Sequence, residues 1–321
     1  MQDGTYRPRD YALLFALAAI WGSSFLFIKI AVAALPPMTL VAARLWIAAL
    51  GMLLYLFASG GGLPRDLAAW RHFAAIAVLG NLLPFFLISW GELQIDSGMA
   101  AILMSTMPLV TLTLAHAFNA DDRITPAKLL GLAVGFGGIV ALVGPGVLAG
   151  LGREVVAQLA VAAAAWCYGI ANVYTRWSTI NSLPAATTGS GVLICAAAMA
   201  LPFSLAIDRP WTLSPGAGPV LALITLALLC TSVAYLILFR LLATTRATFV
   251  SNINYLVPVF GVFWGAVLLG ESVGLDALAA LALILLGIGV AEASARRARR
   301  RNAAREVARS VVGSVPSEER E

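Results

Sequence analysis

Long apolar runs separated by short polar breaks make up almost the whole chain. Each run approaches the roughly 20 residues that a helix needs to cross a bilayer. The pattern predicts helices over 11–33, 38–59, 72–90, 97–118 and 126–145. A second set follows over 153–174, 185–205, 217–239, 247–269 and 274–293. The expected fold class is an all-α integral membrane protein with ten transmembrane helices. Residues 1–10 are polar, and the run behind them is long enough to stay as a helix, so no cleaved leader is expected. The charged stretch 294–321 predicts a basic, disordered tail.

The two sets repeat one order of helices and breaks. At an offset of 150 residues, Pro108 falls on Pro258, Asp121 on Glu271, Gly137 on Gly287 and Val140 on Val290. Slightly shorter offsets place Trp21 on Trp166 and Leu35-Pro36 on Leu183-Pro184. This predicts two five-helix repeats, 11–145 and 153–293. Duplicated membrane bundles hold a solute site between their halves and carry the solute by alternating access.

Charge orients the repeats. Apolar residues are 60% of the chain and charged ones 12%, about half the usual share of a soluble domain. The net charge of +5 could point to nucleic acid, but eight of the 21 basic residues lie in the tail from Arg296 onward. Arg7, Arg9, Arg65, Arg71, Arg123, Lys128, Arg176, Arg240 and Arg246 fall in alternate connections, all on one side of the bundle. The other side has Arg153 and Arg209, and Lys29 and Arg44 sit inside helices. By the positive-inside rule both termini are cytoplasmic, and the tail touches anionic lipid. Five helices per half is odd, so the second repeat is expected to be inverted around a central cavity.

Absences narrow the function. No Gly-rich loop leads to Lys-Ser or Lys-Thr, which argues against ATP use by this chain. Cys167, Cys195 and Cys230 have no paired spacing and read as apolar fillers, and His72 and His116 fall near helix ends. No metal or cofactor is expected. All carboxylates lie in termini, connections or last helical turns, none at mid-membrane. A carboxylate relay and a cationic substrate are therefore disfavoured. A neutral or zwitterionic solute, moved by uniport or weak coupling, fits better.

The polar residues of the spans are the candidate site. Trp21 and Ser24 in the first helix have their repeat counterpart in the sixth-helix set Trp166, Tyr168 and Asn172. Each is an aromatic wall beside small residues that suits either a solute site or tight helix packing. Asn252, Asn254 and Tyr255 make the ninth helix polar, Asn81 and Phe85 lie in the third, and Tyr235 lies in the eighth. Pro108 and Pro258 bend their helices and read as hinges or gates. Lys29 reads as a side chain snorkelling to the interface, like Arg176 near the end of the sixth helix. Arg44 has no such twin and is a better candidate than Lys29 to attract a carboxylate, with snorkelling or a scaffold role as the alternative. The spacings Gly131-x-x-x-Gly135, Gly261-x-x-x-Gly265 and Gly287-x-Gly289 predict close helix packing.

The segment WGSSFLFIKIAVAALPPMTLVAARLWIAAL (21–50) resembles the opening of the EamA family in the drug/metabolite transporter superfamily. It has Trp-Gly-Ser, a basic residue eight positions on, a Pro and then Arg44. The Trp166 segment and the stretch from Pro258 to Gly270-Glu271 resemble the second repeat. Ala120-Asp121 departs from the family's Gly-Glu before the fifth helix. The resemblance implies an inverted five-plus-five bundle in the bacterial inner membrane. It also implies export of amino acids, aromatic and other neutral ones included, and of related metabolites, by a functional monomer whose partners are small solutes and lipid. Multidrug or nucleotide-sugar carriage is the alternative within the superfamily. A membrane enzyme would need clustered reactive groups at one face, and a structural or sensor protein would be favoured if Trp21→Ala and Trp166→Ala left transport untouched.

Overall fold

The structure is a computed structural model that describes residues 6–118, 126–148, 152–290 and 293. Among these, helices account for nearly all regular structure and no strand occurs. Six helices are long and apolar enough to cross a membrane: α1 (Pro8–Val32), α2 (Pro37–Ala58), α3 (Leu67–Gly91), α6 (Arg153–Trp177), α7 (Ala185–Asp208) and α8 (Ala217–Thr244). Between and after them run α4, in two pieces (Ser97–Met104 and Met107–Phe118), and α5 (Pro126–Leu148). Then come α9, also in two pieces (Ala247–Val250 and Ile253–Leu269), and the apolar α10 (Leu275–Val290). The Ala120-Asp121 turn and the basic tail lie outside the described residues.

Local chemistry sets the helix ends. Pro8 and Pro37 open α1 and α2, where a missing N–H costs nothing because that position has no helical partner. The Asp66 side chain accepts from Ala68 N at 3.1 Å and caps α3. Gly270 closes α9 at φ 67°, a left-handed conformation that suits glycine. The breaks in α4 and α9 precede Pro108 and Pro258. In α4 the carbonyls of Ile102 and Leu103 accept, besides backbone amides, the hydroxyls of Ser105 and Thr106 at 2.6 and 2.7 Å.

Packing follows the repeat. α1 lies against α9 and α8, and in the same manner α6 lies against α4 and α3, while α2 pairs with α7. Exchanging each helix with the one five places later maps these pairings onto one another. Two of the π-turns obey the same rule: Val78–Leu82 in α3 and Leu228–Val233 in α8 are 150 residues apart, whereas Ser204–Asp208 at the end of α7 has no counterpart in α2.

The glycines mark where helices touch. A Cβ on Gly261 of α9 would collide with Ala101 of α4, and one on Gly22 of α1 would lie 2.9 Å from Gly261 N. Gly287 of α10 seats against the backbone of Gly131 and Gly135 in α5. The expected close packing is thus found at Gly261, Gly265, Gly135 and Gly287, whereas Gly289 faces open space.

At one end of the bundle, helix termini are capped by side chains from other helices. Asp208, at the end of α7, accepts from Thr39 N at 2.7 Å and Thr39 Oγ1 at 2.9 Å, capping α2. Glu271, beyond α9, accepts from Ser97 N, Ser97 Oγ and Gly98 N at 2.8, 2.9 and 3.0 Å, capping α4. Lys29 Nζ donates to Glu92 O and Ile95 O at 2.8 and 2.7 Å, capping the C-terminus of α3. The snorkelling expected of Lys29 is therefore corrected. Its ammonium turns inward because free carbonyls at a buried helix end bind it better than a distant interface.

Candidate functional site

Two polar π-turns and one arginine organise a cavity of about 570 Å³ between the halves. α1 to α4 and α6 to α9 line it, and no described residue of α5 or α10 does. A π-turn carries one extra residue per turn, so it redirects side chains and leaves carbonyls free, and such turns recur at functional sites. Here they aim Asn81 of α3 and Thr231 of α8 inward. Tyr235 OH donates to Asn81 Oδ1 at 3.1 Å, and Arg44 Nε of α2 donates to Thr231 Oγ1 at 3.0 Å. The Arg44 guanidinium also sits 3.7 Å from the centre of the Phe85 ring. Arg44 is 5% exposed, and it is the only charged side chain in the lining formed by the described residues.

Trp21, Phe25, Tyr168 and Phe239 add apolar walls, and Ser24 Oγ is buried with no hydrogen-bond partner among the described residues. The cavity reaches Ile180, Leu183 and Ala185, at the end of the bundle where Thr187 Oγ1 donates to Gly62 O at 3.2 Å. Toward the other end it stops at Ile28, Ile88 and Ala101, all buried, below the three cross-helix caps.

Of the residues nominated from sequence, the structure gathers Trp21, Ser24, Arg44, Asn81, Phe85, Tyr168, Asn172, Tyr235 and Asn254 in this one lining, together with Pro108 and Pro258. It leaves out Trp166, Asn252 and Tyr255. Trp166 is 43% exposed on the outer face. It lies two residues from Tyr168, about 200° around the helix, while Tyr168, Ala171, Asn172 and Thr175 share the inner face. Asn252 sits on the break in α9, outside the lining, and Tyr255 packs against the apolar core beside the cavity. Trp166→Ala is accordingly expected to leave solute affinity unchanged, whereas Tyr168→Ala weakens it several-fold in the same equilibrium binding assay.

One group escaped the sequence reading. Glu92, just past the end of α3, has no exposed surface, and neither carboxyl oxygen has a hydrogen-bond partner among the described residues. Burial pushes its carboxyl well above the usual carboxylate range. The Lys29 charge opposes that rise, Glu271 adds to it and Arg44 opposes it. Its position in a connection marked it as solvated. The only local warning is Gly91, whose missing side chain brings α3 against Ala157 and Val161 of α6.

The profile of the EamA-like transporter family matches the chain twice, over residues 10–144 and 155–291. The chain belongs to that family. It is a transporter of the drug/metabolite superfamily and not an enzyme. Among its relatives, the "Uncharacterized inner membrane transporter YedA" of Escherichia coli K12 is 29% identical over 283 residues, covering 87% of each chain. The "Probable amino-acid metabolite efflux pump" of the same organism is 27% identical over 293 residues, covering 87% of this chain and 93% of the relative. A solved structure titled "Crystal structure of protein" shares the fold at a TM-score of 0.65 and 21% identity, over 91% of this chain and 99% of that one.

Proposed function

We propose that the chain exports amino acids, aromatic and other neutral ones included, and related metabolites across a bacterial inner membrane by alternating access. The observation that carries this reading is Arg44, a buried guanidinium in the cavity with Thr231 and Phe85 as partners and no acid among the described lining residues. A buried charge without its opposite is costly, and a solute carboxylate supplies that opposite. The aromatic walls accept an apolar or aromatic side chain. A cationic drug would meet Arg44 with no acid to offset it, and a nucleotide sugar would need more positive charge than one guanidinium.

In this reading all of α1 to α10 cross the membrane as two inverted repeats. The basic connections place both termini and the 178–184 connection in the cytoplasm. The cavity then faces the cytoplasm, as loading of an exporter requires. The relatives' names for inner-membrane transport and amino-acid metabolite efflux support the same assignment. The solute runs down its own gradient, by uniport or weak coupling.

Proteoliposomes loaded with labelled phenylalanine, methionine or threonine test this. Protein-dependent efflux of at least one is expected, and no efflux of any amino acid overturns the substrate assignment. Rocking of the halves bends α4 and α9 at their breaks, so Pro108→Ala and Pro258→Ala are expected to change transport rate more than half-saturation. Equal changes in both constants would remove the hinge role.

A further inference from the structure

The capped end of the bundle holds a carboxyl that neither the cavity nor the substrate reading uses. Glu92 has no exposed surface, yet both of its oxygens lack partners among the described residues. Its own backbone carbonyl is held by Lys29, so the residue sits inside the seal and not beside it. The charged groups around it are few. α1 brings Lys29, whose ammonium is committed to the carbonyls of Glu92 and Ile95. α2 brings Arg44, which is turned to Thr231 and Phe85. Beyond α9, Glu271 is committed to the amides of Ser97 and Gly98. α6 presents Ala157 and Val161 to the neighbouring Gly91, with Arg153 and Glu154 exposed at its start, and Asp96 before α4 is exposed. Among the described residues, no group is placed to accept a hydrogen bond from the Glu92 carboxyl or to donate one to it.

We propose that Glu92 is a proton-binding latch of the sealed end: that end closes with the carboxyl protonated and opens when the proton leaves to entering water. Solvation sets the direction. An ionised carboxylate without partners is unstable in a buried site, while the neutral acid costs far less there. Once α3 and α4 separate from the caps, water solvates the group and it ionises as an ordinary carboxylate does. The sealed state therefore binds the proton more tightly than the open state, and it is fully favoured below the ordinary carboxylate range. That advantage is lost as pH rises toward the raised value of the sealed state.

Glu92 lies outside the cavity lining, so it takes its proton from, and returns it to, the same face. The device makes opening pH-dependent without carrying protons across. It also supplies what the sequence lacked: a buried carboxylate that acts on the gate and not on the solute. The latch rests on alternating access and on no particular substrate, so it stands or falls separately from the amino-acid assignment.

The test is accessibility of the seal in nanodiscs. Ile95 is buried and Leu93 exposed, so Ile95→Cys is alkylated only when the end opens, and Leu93→Cys reports the intrinsic thiol reactivity at each pH. With a hydrophilic maleimide and mass spectrometry of the labelled peptide, the 95-to-93 rate ratio is compared between about pH 5 and about pH 8.5. It should rise several-fold, because the sealed state holds the proton more tightly and loses that advantage as pH rises across this range. In the Glu92→Gln background, which fixes the neutral form, the ratio should stay low and flat. A flat ratio with Glu92 present, or an equal rise with Gln, overturns the proposal. If Ile95→Cys does not fold, hydrogen-exchange protection of the Ser97 and Gly98 amides gives the same two outcomes, with protection falling as pH rises only when Glu92 is present.

Discussion

Arg44→Met is expected to weaken binding of a carboxylate solute about 100-fold, or about 3 kcal/mol, and to raise the melting temperature of the empty protein. The two effects have one cause. Arg44 is a buried cation whose protein partners are a hydroxyl and an aromatic ring, neither of which carries a full opposite charge. In the empty cavity it is a liability, and an apolar side chain of similar volume removes the desolvation cost. With the solute bound, the guanidinium and carboxylate neutralise each other in a low-dielectric site, where such a pair is strongest. A purely structural arginine would behave otherwise: its loss would lower the melting temperature and leave affinity nearly unchanged. Calorimetric titration and melting of the purified variant separate the two.

Gly22→Ala is expected to be the most damaging small change in the first repeat, at about 2 kcal/mol of stability. Gly22 belongs to the Trp-Gly-Ser opening, and its two neighbours in that triplet face different tasks. Trp21 lines the cavity. Ser23 donates its hydroxyl to Ile20 O at 2.8 Å within α1. Gly22 lies where α1 crosses α9, and a Cβ there would stand 2.6 Å from Phe260 Cβ and 2.9 Å from Gly261 N. Backbone cannot withdraw as a flexible side chain can, so the helices must part. Parting them moves Trp21 off the cavity wall, and transport should fall with stability. Melting of Gly22→Ala at wild-type temperature, with full transport, would show that the crossing is looser than this.

The helices were legible because membrane spans announce themselves by length and apolarity. Their broken members were legible because Pro108 and Pro258 mark interruptions. The π-turn of α8 was not, since Ala234 stands where α3 has Pro84, and only its geometry shows the equivalence. Facing was the main loss. In a soluble helix polar residues mark the outside, but here both lipid and core are apolar, so periodicity separates inner from outer faces poorly. Trp166 and Tyr168 looked equally suited to a site, and only rotation about α6 divides them. Lys29 and Glu92 failed for a different reason. Their meaning depends on contact between α1 and the end of α3, more than 60 residues apart. A lysine and a glutamate near helix ends ordinarily reach water, and locally only Gly91 hints that Glu92 is sealed in.

The central claim, that a solute carboxylate completes the charge of Arg44, is tested most directly by melting the purified protein with matched ligands. A solute that binds the folded state raises stability by mass action. Phenylalanine and its N-acetyl derivative, both carboxylates, should stabilise the wild type, whereas phenylalaninamide and phenethylamine should not. Stabilisation by the two amines as strong as by the two carboxylates would contradict the account.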